Sequence, residues 1–473
     1  MDLKRDGLNR YRLPRRGKMR VDAVIYVNER LFSLLREDKS LEQLMHAACL
    51  PGVVEPVIGM PDIHEGFGLP IGGIMAVTED GVISAGAVGM DINCGVRLIR
   101  TDLQARDVDR ATLRRLMEAV EANVPTGVGK KGKHKGITAG IFEDVAHKGA
   151  EAVIEAGFGN RADLEYIEEG GCLPGADIQA VSREAYSRGS GQLGTLGGGN
   201  HFIEIQEVVN IFEPALAPRF GLFQGQLTVM IHTGSRGFGH QICTDYTRRL
   251  ASAAPKYRIE LPSRGLACAP VESPDGENYY KAMACAVNYA FSNRQIIMTD
   301  VLRAFSDVLG SSAEQLGMRL VYDVAHNIAK WEKHFGRRVL VHRKGATRAL
   351  GPGHPANPPV YRDTGHPALV PGSMGTASYV LVGTEKAAET FFSVNHGAGR
   401  VLSRTAAEKK ITKAEFEEAM GEVLYNTKNY RDVVDEAPLA YKDIEQVVDT
   451  LVGIGITRKV ARMRPLAVIK GKD

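Results

Sequence analysis

Glycine placement constrains this chain most, because 22 of its 52 glycines crowd into five short stretches, 59–95, 189–201, 232–240, 371–378 and 396–399. Those stretches make up only 71 of the 473 residues. Elsewhere glycine is close to the roughly 7% of average usage. Glycine accepts positive φ and lets the main chain approach a ligand closely. Clusters this dense therefore read as backbone-lined sites on loops. They lie as far apart as residues 59 and 399, so the fold must bring distant segments together.

Between the loops, runs rich in β-branched residues predict strands at 22–27, 96–102, 202–209, 226–232, 317–324, 338–343 and 377–383. Helical periodicity is clearest over 107–122, where DVDRATLRRLMEAVEA opens on acidic residues and then spaces apolar ones by three and four. Further helices are expected at 142–156, 276–308, 412–425 and 442–452. Strands and helices do not alternate in a βαβ rhythm, and no repeat of 20–50 residues is visible, which argues against a doubly wound sheet, a barrel of repeated units or a solenoid. The expected class is α+β. No Ser/Pro-rich linker or shift of composition divides the chain, so residues 1–473 are expected to form one large compact unit, led by a basic segment over 1–20.

Several function classes drop out. With 44% hydrophobic and 24% charged residues the composition is globular. No window approaches the ~18 uninterrupted apolar residues of a membrane span, and the start MDLKRDGLNRYRLPRR lacks the apolar stretch of a signal peptide. A cytoplasmic location is expected. Cys49, Cys94, Cys172, Cys243, Cys268 and Cys285 form no CxxC pair, so neither a disulfide framework nor a zinc ribbon fits, and any cysteine chemistry is solitary. A net charge of +3 does not by itself announce nucleic-acid binding. Basic residues do gather at 4–20, at Lys130, Lys131, Lys133 and Lys135, and at 458–472. Such runs are either solvated surface or the rim of a groove for a phosphate backbone.

Chemistry concentrates in the glycine-rich loops. In GAVGMDINCGVRLIR, Asp91 and Cys94 place a hard carboxylate three residues from a soft thiolate, just before a strand. Turn aspartates and isolated cysteines are usually structural. Three histidines placed alike add weight: His201 opens a strand, while His232 and His326 end strands. Aspartate, cysteine and three histidines suit a divalent transition metal better than magnesium or calcium. Five ligands exceed a structural zinc site, and a thiolate shared by two ions would explain the number. Two ions would suit phosphoryl or nucleotidyl transfer. In FFSVNHGAGR, His396 precedes amides that can approach a phosphate, with Arg400 as a charge partner, and imidazole can attack phosphorus. PGSMGTASY, residues 371–379, adds hydroxyls and free amides. No Walker or GxGxxG motif falls in a usable context, so a nucleotide needs another kind of pocket. His64, His240 and His342 are either structural or site-lining, and Trp331 is read as a packing residue.

Taken together, MPDIHEGFGLPIGG, GAVGMDINCGVR, GTLGGGNHFIE, IHTGSRGFGH, YDVAHN, VHRKGATRA, PGSMGTASY, NHGAGR, DEAPLAYKD and PLAVIKG resemble, in order, the RtcB family of RNA-splicing ligases over roughly 20–473. The resemblance implies a large compact fold with mixed sheets around a central two-metal cleft. It also implies an enzyme that uses GTP and two Mn2+ ions to join RNA 2′,3′-cyclic phosphate or 3′-phosphate ends to 5′-hydroxyl ends, in tRNA splicing or RNA repair. On that likeness Cys94 bridges the ions, one completed by Asp91 and His201, the other by His232 and His326. His396 is then the nucleophile that carries guanylate. Asn200, Phe202, Glu204, His326, Asn327, Pro371, Gly372, Ser373, Met374, Ser378, Gly397, Ala398, Gly399, Tyr441 and Lys470 surround the nucleotide. RNA is the partner, with an archease-like activator as a further one. Gly198 stands where serine is expected in many members, and the lysine-rich 127–140 segment and the 253–275 loop match no family pattern. Rival readings are a two-metal cyclic phosphodiesterase without ligation and a metal-stabilised RNA-binding protein.

Overall fold

The β-branched runs become the interior of two large mixed sheets. The computed structural model describes residues 3–35, 38–134, 139–427 and 429–472; Lys135 of the lysine cluster lies outside them. One sheet has seven strands in the order Lys4–Arg5, Arg10–Leu13, Ala23–Tyr26, Val53–His64, Ile71–Val77, Arg337–Lys344, Asn327–His334. The other runs Arg319–Ala325, Gly95–Gln104, Gln226–Thr233, Phe202–Ile211, Thr457–Ile469, Ser378–Gly383, Ala368–Val370, with Leu424–Tyr425 pairing in parallel to Thr457–Ile469. Parallel pairs occur in both sheets, and helices lie beside them, so the α+β expectation holds.

Burial on both faces explains why the central strands read as nearly unbroken apolar runs. Alternation along Gly95–Gln104 sends Val96 and Leu98 to one core and Ile99 to the other. Ile99 packs in the layer that holds Leu116 and Val120 of the helix Arg110–Asn123, Ile242 of Arg236–Ala253 and Ile297 of Pro274–Leu309. A third cluster joins the sheets: Ile58, Ile74 and Val341 from the first meet Val370, Tyr379 and Leu381 from the second.

All seven expected strands are present. Three of the five expected helices match closely, and two differ. The 142–156 helix splits at Gly149, whose φ of +62 breaks it into Ala139–Lys148 and Ala150–Glu155. The 412–425 helix ends at Met420 because Gly421 takes φ +53, and Leu424–Tyr425 then joins a sheet. Helix Pro274–Leu309 follows its signals: Ser273 accepts from the Gly276 amide, Pro274 and Asp275 open the first turn, and Gly310 closes it at φ +66. The basic 458–464 run is a strand whose charges are paired, Arg458 with Glu213, Lys459 with Asp449, Arg462 with Glu445 and Arg464 with Glu207. Arg10 and Arg12 are likewise paired, with Asp6 and Asp22. No described helix is long and apolar enough to cross a membrane.

Candidate metal centre and nucleotide cleft

Antiparallel pairing gathers the candidate ligands. Strands 319–325, 95–104, 226–233 and 202–211 are neighbours, with Ala325 opposite Gly95, Val96 opposite His232 and His232 opposite Phe202. In such a set the C-terminal end of one strand lies beside the N-terminal end of the next. His326, Cys94, His232 and His201 thus meet at one end of the sheet. Asp91 reaches them from the preceding turn, where its carbonyl accepts from Asn327 Nδ2 (3.0 Å) and its Oδ1 from the Ser235 amide (3.0 Å). A Cβ on Gly234 would collide with the Asp91 carboxylate, which is why the loop after His232 needs glycine there.

The five ligand atoms form two sets that share one sulfur. Asp91, Cys94 and His201 make one, and Cys94, His232 and His326 the other; within each, the donor atoms lie within 4.8 Å of one another. Cys94 Sγ is 3.5 Å from His201 Nε2 and 3.3 Å from His232 Nε2, which is 3.2 Å from His326 Nε2. His201 Nδ1 donates to the Leu196 carbonyl (3.0 Å), so its Nε2, 2.8 Å from Asp91 Oδ2, is the nitrogen presented to the cluster. Burial, reinforced by neighbouring histidines, drives the His232 and His326 pKa values well down, so both are neutral. Burial and the Asp91 charge push the Cys94 thiol up. Asp91 itself, despite burial, is brought to about 2 by His201. Imidazole nitrogens facing each other, a carboxylate and a thiol in a buried cluster are a donor set that fits a pair of transition-metal ions; a cation there would make Cys94 a thiolate.

Beside this cluster a cleft of about 350 Å³ opens, with His396 in its wall. His396 lies just past strand Ser393–Asn395, its ring 4.9 Å from that of His326. Asp62, on strand Val53–His64 and fully buried, accepts from His396 Nδ1 (2.6 Å), the His396 amide (3.0 Å) and the Gly397 amide (3.3 Å) with a single Oδ2. That bond places the ring proton on Nδ1 and turns the Nε2 lone pair outward. Asn200, Phe202, His326, Asn327, Pro371 to Met374, Gly397 to Gly399, Tyr441 and Lys470 line the same cleft. Glu204 and Ser378 do not line it; Gln206 Nε2 bonds both behind the wall, at 2.7 and 3.1 Å. Burial raises the Glu204 pKa to about 8, so that carboxyl is protonated at neutral pH and able to donate. Of the histidines left open, His64 lines the cleft, while His342 is buried between strands with Nδ1 toward the Met75 carbonyl. Trp331 sits at the edge of the core, with Arg338 over its ring.

A family model described as tRNA-splicing ligase RtcB matches residues 43–471. The chain belongs to the RtcB family. It is 48% identical over 471 residues to a tRNA-splicing ligase RtcB of Methanococcus maripaludis, covering 98% of each chain. A tRNA-splicing ligase RtcB of Archaeoglobus fulgidus is 46% identical over 98% of this chain and 97% of its own. An RNA-splicing ligase RtcB of Mycobacterium bovis is 44% identical over 91% of this chain and all of its own. As an RtcB member the chain is an enzyme, an RNA ligase.

Several residues of this RtcB chain escaped the sequence reading. Asp62 lies in the quoted MPDIHEGF block, where His64 drew attention instead. Glu436 sits buried in DEAPLAYKD among Arg400 (3.0 Å), Arg404 (3.3 Å) and Lys470 (3.6 Å), whose charges hold its pKa down against burial. Arg400, Arg404 and Lys470 against Glu436 and Asp435, with which Arg404 also pairs (2.9 Å), leave one net positive charge under the cleft. Lys344 lines the wall, bonded to the Gly86 carbonyl (3.2 Å) and lowered by burial to about 8. On the other side of the cluster a second cleft, about 470 Å³, is lined by Arg188, Gln192, His201, Arg236 and His240. Asp91 and Asn200 line both clefts. The exposed Lys130, Lys131 and Lys133 follow Val128 and Gly129, which border the second one.

Proposed function

We propose that this protein uses GTP and Mn2+ to join RNA 2′,3′-cyclic phosphate or 3′-phosphate ends to 5′-hydroxyl ends, in tRNA splicing or RNA repair, through guanylate carried on His396. The observation that carries this reading is the Asp62–His396 pair beside two ligand sets that share Cys94. Bound at Asp91, Cys94 and His201 and at Cys94, His232 and His326, two divalent ions would supply charge neutralisation for attacking and leaving oxygens.

The chain's own groups account for the rest. Asp62 holds the proton on His396 Nδ1, so Nε2 attacks the α-phosphorus of GTP, forming a P–N bond as pyrophosphate leaves. Arg400, Arg404 and Lys470 face the anionic phosphates. Phe202 and Tyr441 are apolar walls for the guanine, with Glu204, protonated, and Ser378 held behind the wall by Gln206. A cyclic end is first opened by water to a 3′-phosphate. That phosphate takes guanylate from His396, freeing the histidine, and the 5′-hydroxyl then attacks the activated phosphorus and expels GMP. Two RNA ends must meet at the cluster, and two clefts open onto it. The second, with Arg188 and Arg236, offers cations for the backbone of the strand that the first does not hold. The chain works as one unit on this reading, with RNA as its obligatory partner and an archease-like protein as an activator.

Incubation with α-labelled GTP and Mn2+ tests the proposal. Label is expected on the wild type and not on His396→Ala, and joined product is expected from a 3′-phosphate RNA and a 5′-hydroxyl RNA. Label retained by His396→Ala sinks the nucleophile. Opening of cyclic ends with no joining would leave a phosphodiesterase instead.

A further inference from the structure

Behind the ligand cluster, helix Pro274–Leu309 points one fully buried guanidinium, that of Arg294, at the ends of the ligand-bearing strands. Its Nη1 donates to the carbonyls of Asn93 (2.9 Å) and Thr233 (2.8 Å). Its Nη2 donates to Asn93 Oδ1 (3.2 Å) and Asp323 Oδ1 (2.8 Å), and its Nε to the Asp323 carboxylate (3.0 Å). Every N–H of the fork is used. The partners are telling: Asn93 precedes Cys94, Thr233 follows His232, and Asp323 lies on the strand Arg319–Ala325 that ends just before His326. Resting on the metal reading above, we propose that Arg294 is a positioning residue for the metal pair, setting the spacing of Cys94, His232 and His326 by clamping the main chain beside Cys94 and His232 and the Asp323 carboxylate on the strand that leads to His326.

Three features separate this from a buried ion pair of general use. First, a buried Arg–Asp pair is a poor source of stability, yet here the whole Nη1 arm is spent on main-chain carbonyls adjoining ligands. Second, Asn93 holds a left-handed φ of +52, which a non-glycine residue adopts at a cost. Its side chain is fixed on both ends, Oδ1 by Arg294 and Nδ2 by the Val287 carbonyl (2.7 Å) of the same helix. That turn aims Cys94. Third, a Cβ on Gly95 would strike the Val324 carbonyl and come 3.0 Å from Arg294 Nη2, so the residue after Cys94 leaves room for the guanidinium. Arg97, the neighbouring arginine, shares Asp323 (2.7 Å) but otherwise turns to Gln295, away from the ligands.

Cobalt(II) binding to metal-stripped protein reads the spacing directly, since a Cys94-dependent thiolate-to-cobalt absorption band reports the shared sulfur. Arg294→Lys keeps the charge and loses the fork. It is expected to bind cobalt and manganese roughly 10- to 100-fold more weakly, the usual cost of losing a group that orients ligands, with a shifted band, while circular dichroism stays near wild type and melting comes at a lower temperature. A folded Arg294→Lys protein with wild-type affinity and spectrum overturns the proposal. Should Arg294→Lys fail to fold, Asn93→Gly decides, because glycine keeps the positive φ and deletes only the two side-chain bonds. A weaker affinity with a shifted band supports the clamp, and wild-type behaviour overturns it. A wild type with no Cys94-dependent band removes the metal reading, and the clamp with it.

Discussion

Replacing Asp62 by asparagine isolates one contribution to the proposed chemistry, because the change is isosteric and lies behind the nucleophile. In the wild type one carboxylate oxygen takes the His396 Nδ1 proton at 2.6 Å and the amides of His396 and Gly397. Asparagine can still accept with its carbonyl, but without charge, and with its amide turned it would donate to Nδ1 and move the ring proton to Nε2. A hydrogen bond to a charged group is worth about 1.5–3 kcal/mol. At about 1.36 kcal/mol per tenfold, guanylylation should slow roughly 10- to 150-fold. Asp62→Ala should lose more, since it also strands two buried amides. The assay is single-turnover transfer of label from α-labelled GTP to protein, over a range of GTP concentrations. The fall should appear in the limiting rate and not in the GTP concentration at half-maximum, because Asp62 is buried away from the nucleotide. A wild-type limiting rate for Asp62→Asn refutes the assigned role of the pair.

Cys94→Ser should remove the shared ligand, lowering bound manganese below two per chain and abolishing joining, which metal analysis beside a melting curve checks. Gly234→Ala puts a methyl into the Asp91 carboxylate and should weaken manganese binding while leaving Cys94, His232 and His326 assembled; unchanged affinity would count against the Asp91 set. Arg236→Ala should reduce RNA affinity and lower the salt-dependence slope by about one, with guanylylation of His396 unaffected. Glu204 titrates near 8 when folded and near the ordinary 4.5 when unfolded, so between those values the folded state holds the extra proton. Stability then falls as pH rises from about 4.5 to about 8 and levels off above. Glu204→Gln should lack that decline in urea unfolding followed across pH.

What the sequence made legible was chemistry more than architecture. Asp91, Cys94, His201, His232 and His326 stood out because each pairs a ligand-type side chain with a strand terminus, and the fold confirms that these termini converge. Strand order, which decides that 95–104 lies between 319–325 and 226–233, has no local signature. Thr457–Ile469 was hidden because its arginines are surface residues, paired with Glu207, Glu213 and Glu445, on what is nonetheless a central strand of the sheet. Helix Arg236–Ala253 was hidden by RGFGH: Gly239 looks like a breaker, yet a Cβ there would strike Ser235 Oγ, so it is glycine for packing. Asp62 was invisible for a different reason. A carboxylate acting through a histidine 334 positions away leaves no spacing to read.

Register ties the chemistry to the sheet. Side chains alternate faces along a strand, so a slip of one residue between 226–233 and either neighbour would turn His232 to the opposite face and leave Cys94 with ligands for one set only. A site made at strand ends, where fraying is easiest, therefore needs its ends fastened. Several bonds meet that need: the His326 amide donates to the Cys94 carbonyl (2.9 Å), the Asn93 amide to the Asn327 carbonyl (2.6 Å), and Thr233 Oγ1 to the Leu196 carbonyl (2.6 Å). The glycines follow from the same requirement. Where four strand ends, the His396 cleft and a second cleft come together, Cβ atoms at Gly95 and Gly234 would occupy space already taken by a carbonyl and a carboxylate. Glycine crowding in the sequence is thus the imprint of convergence at the site, not of mobile loops.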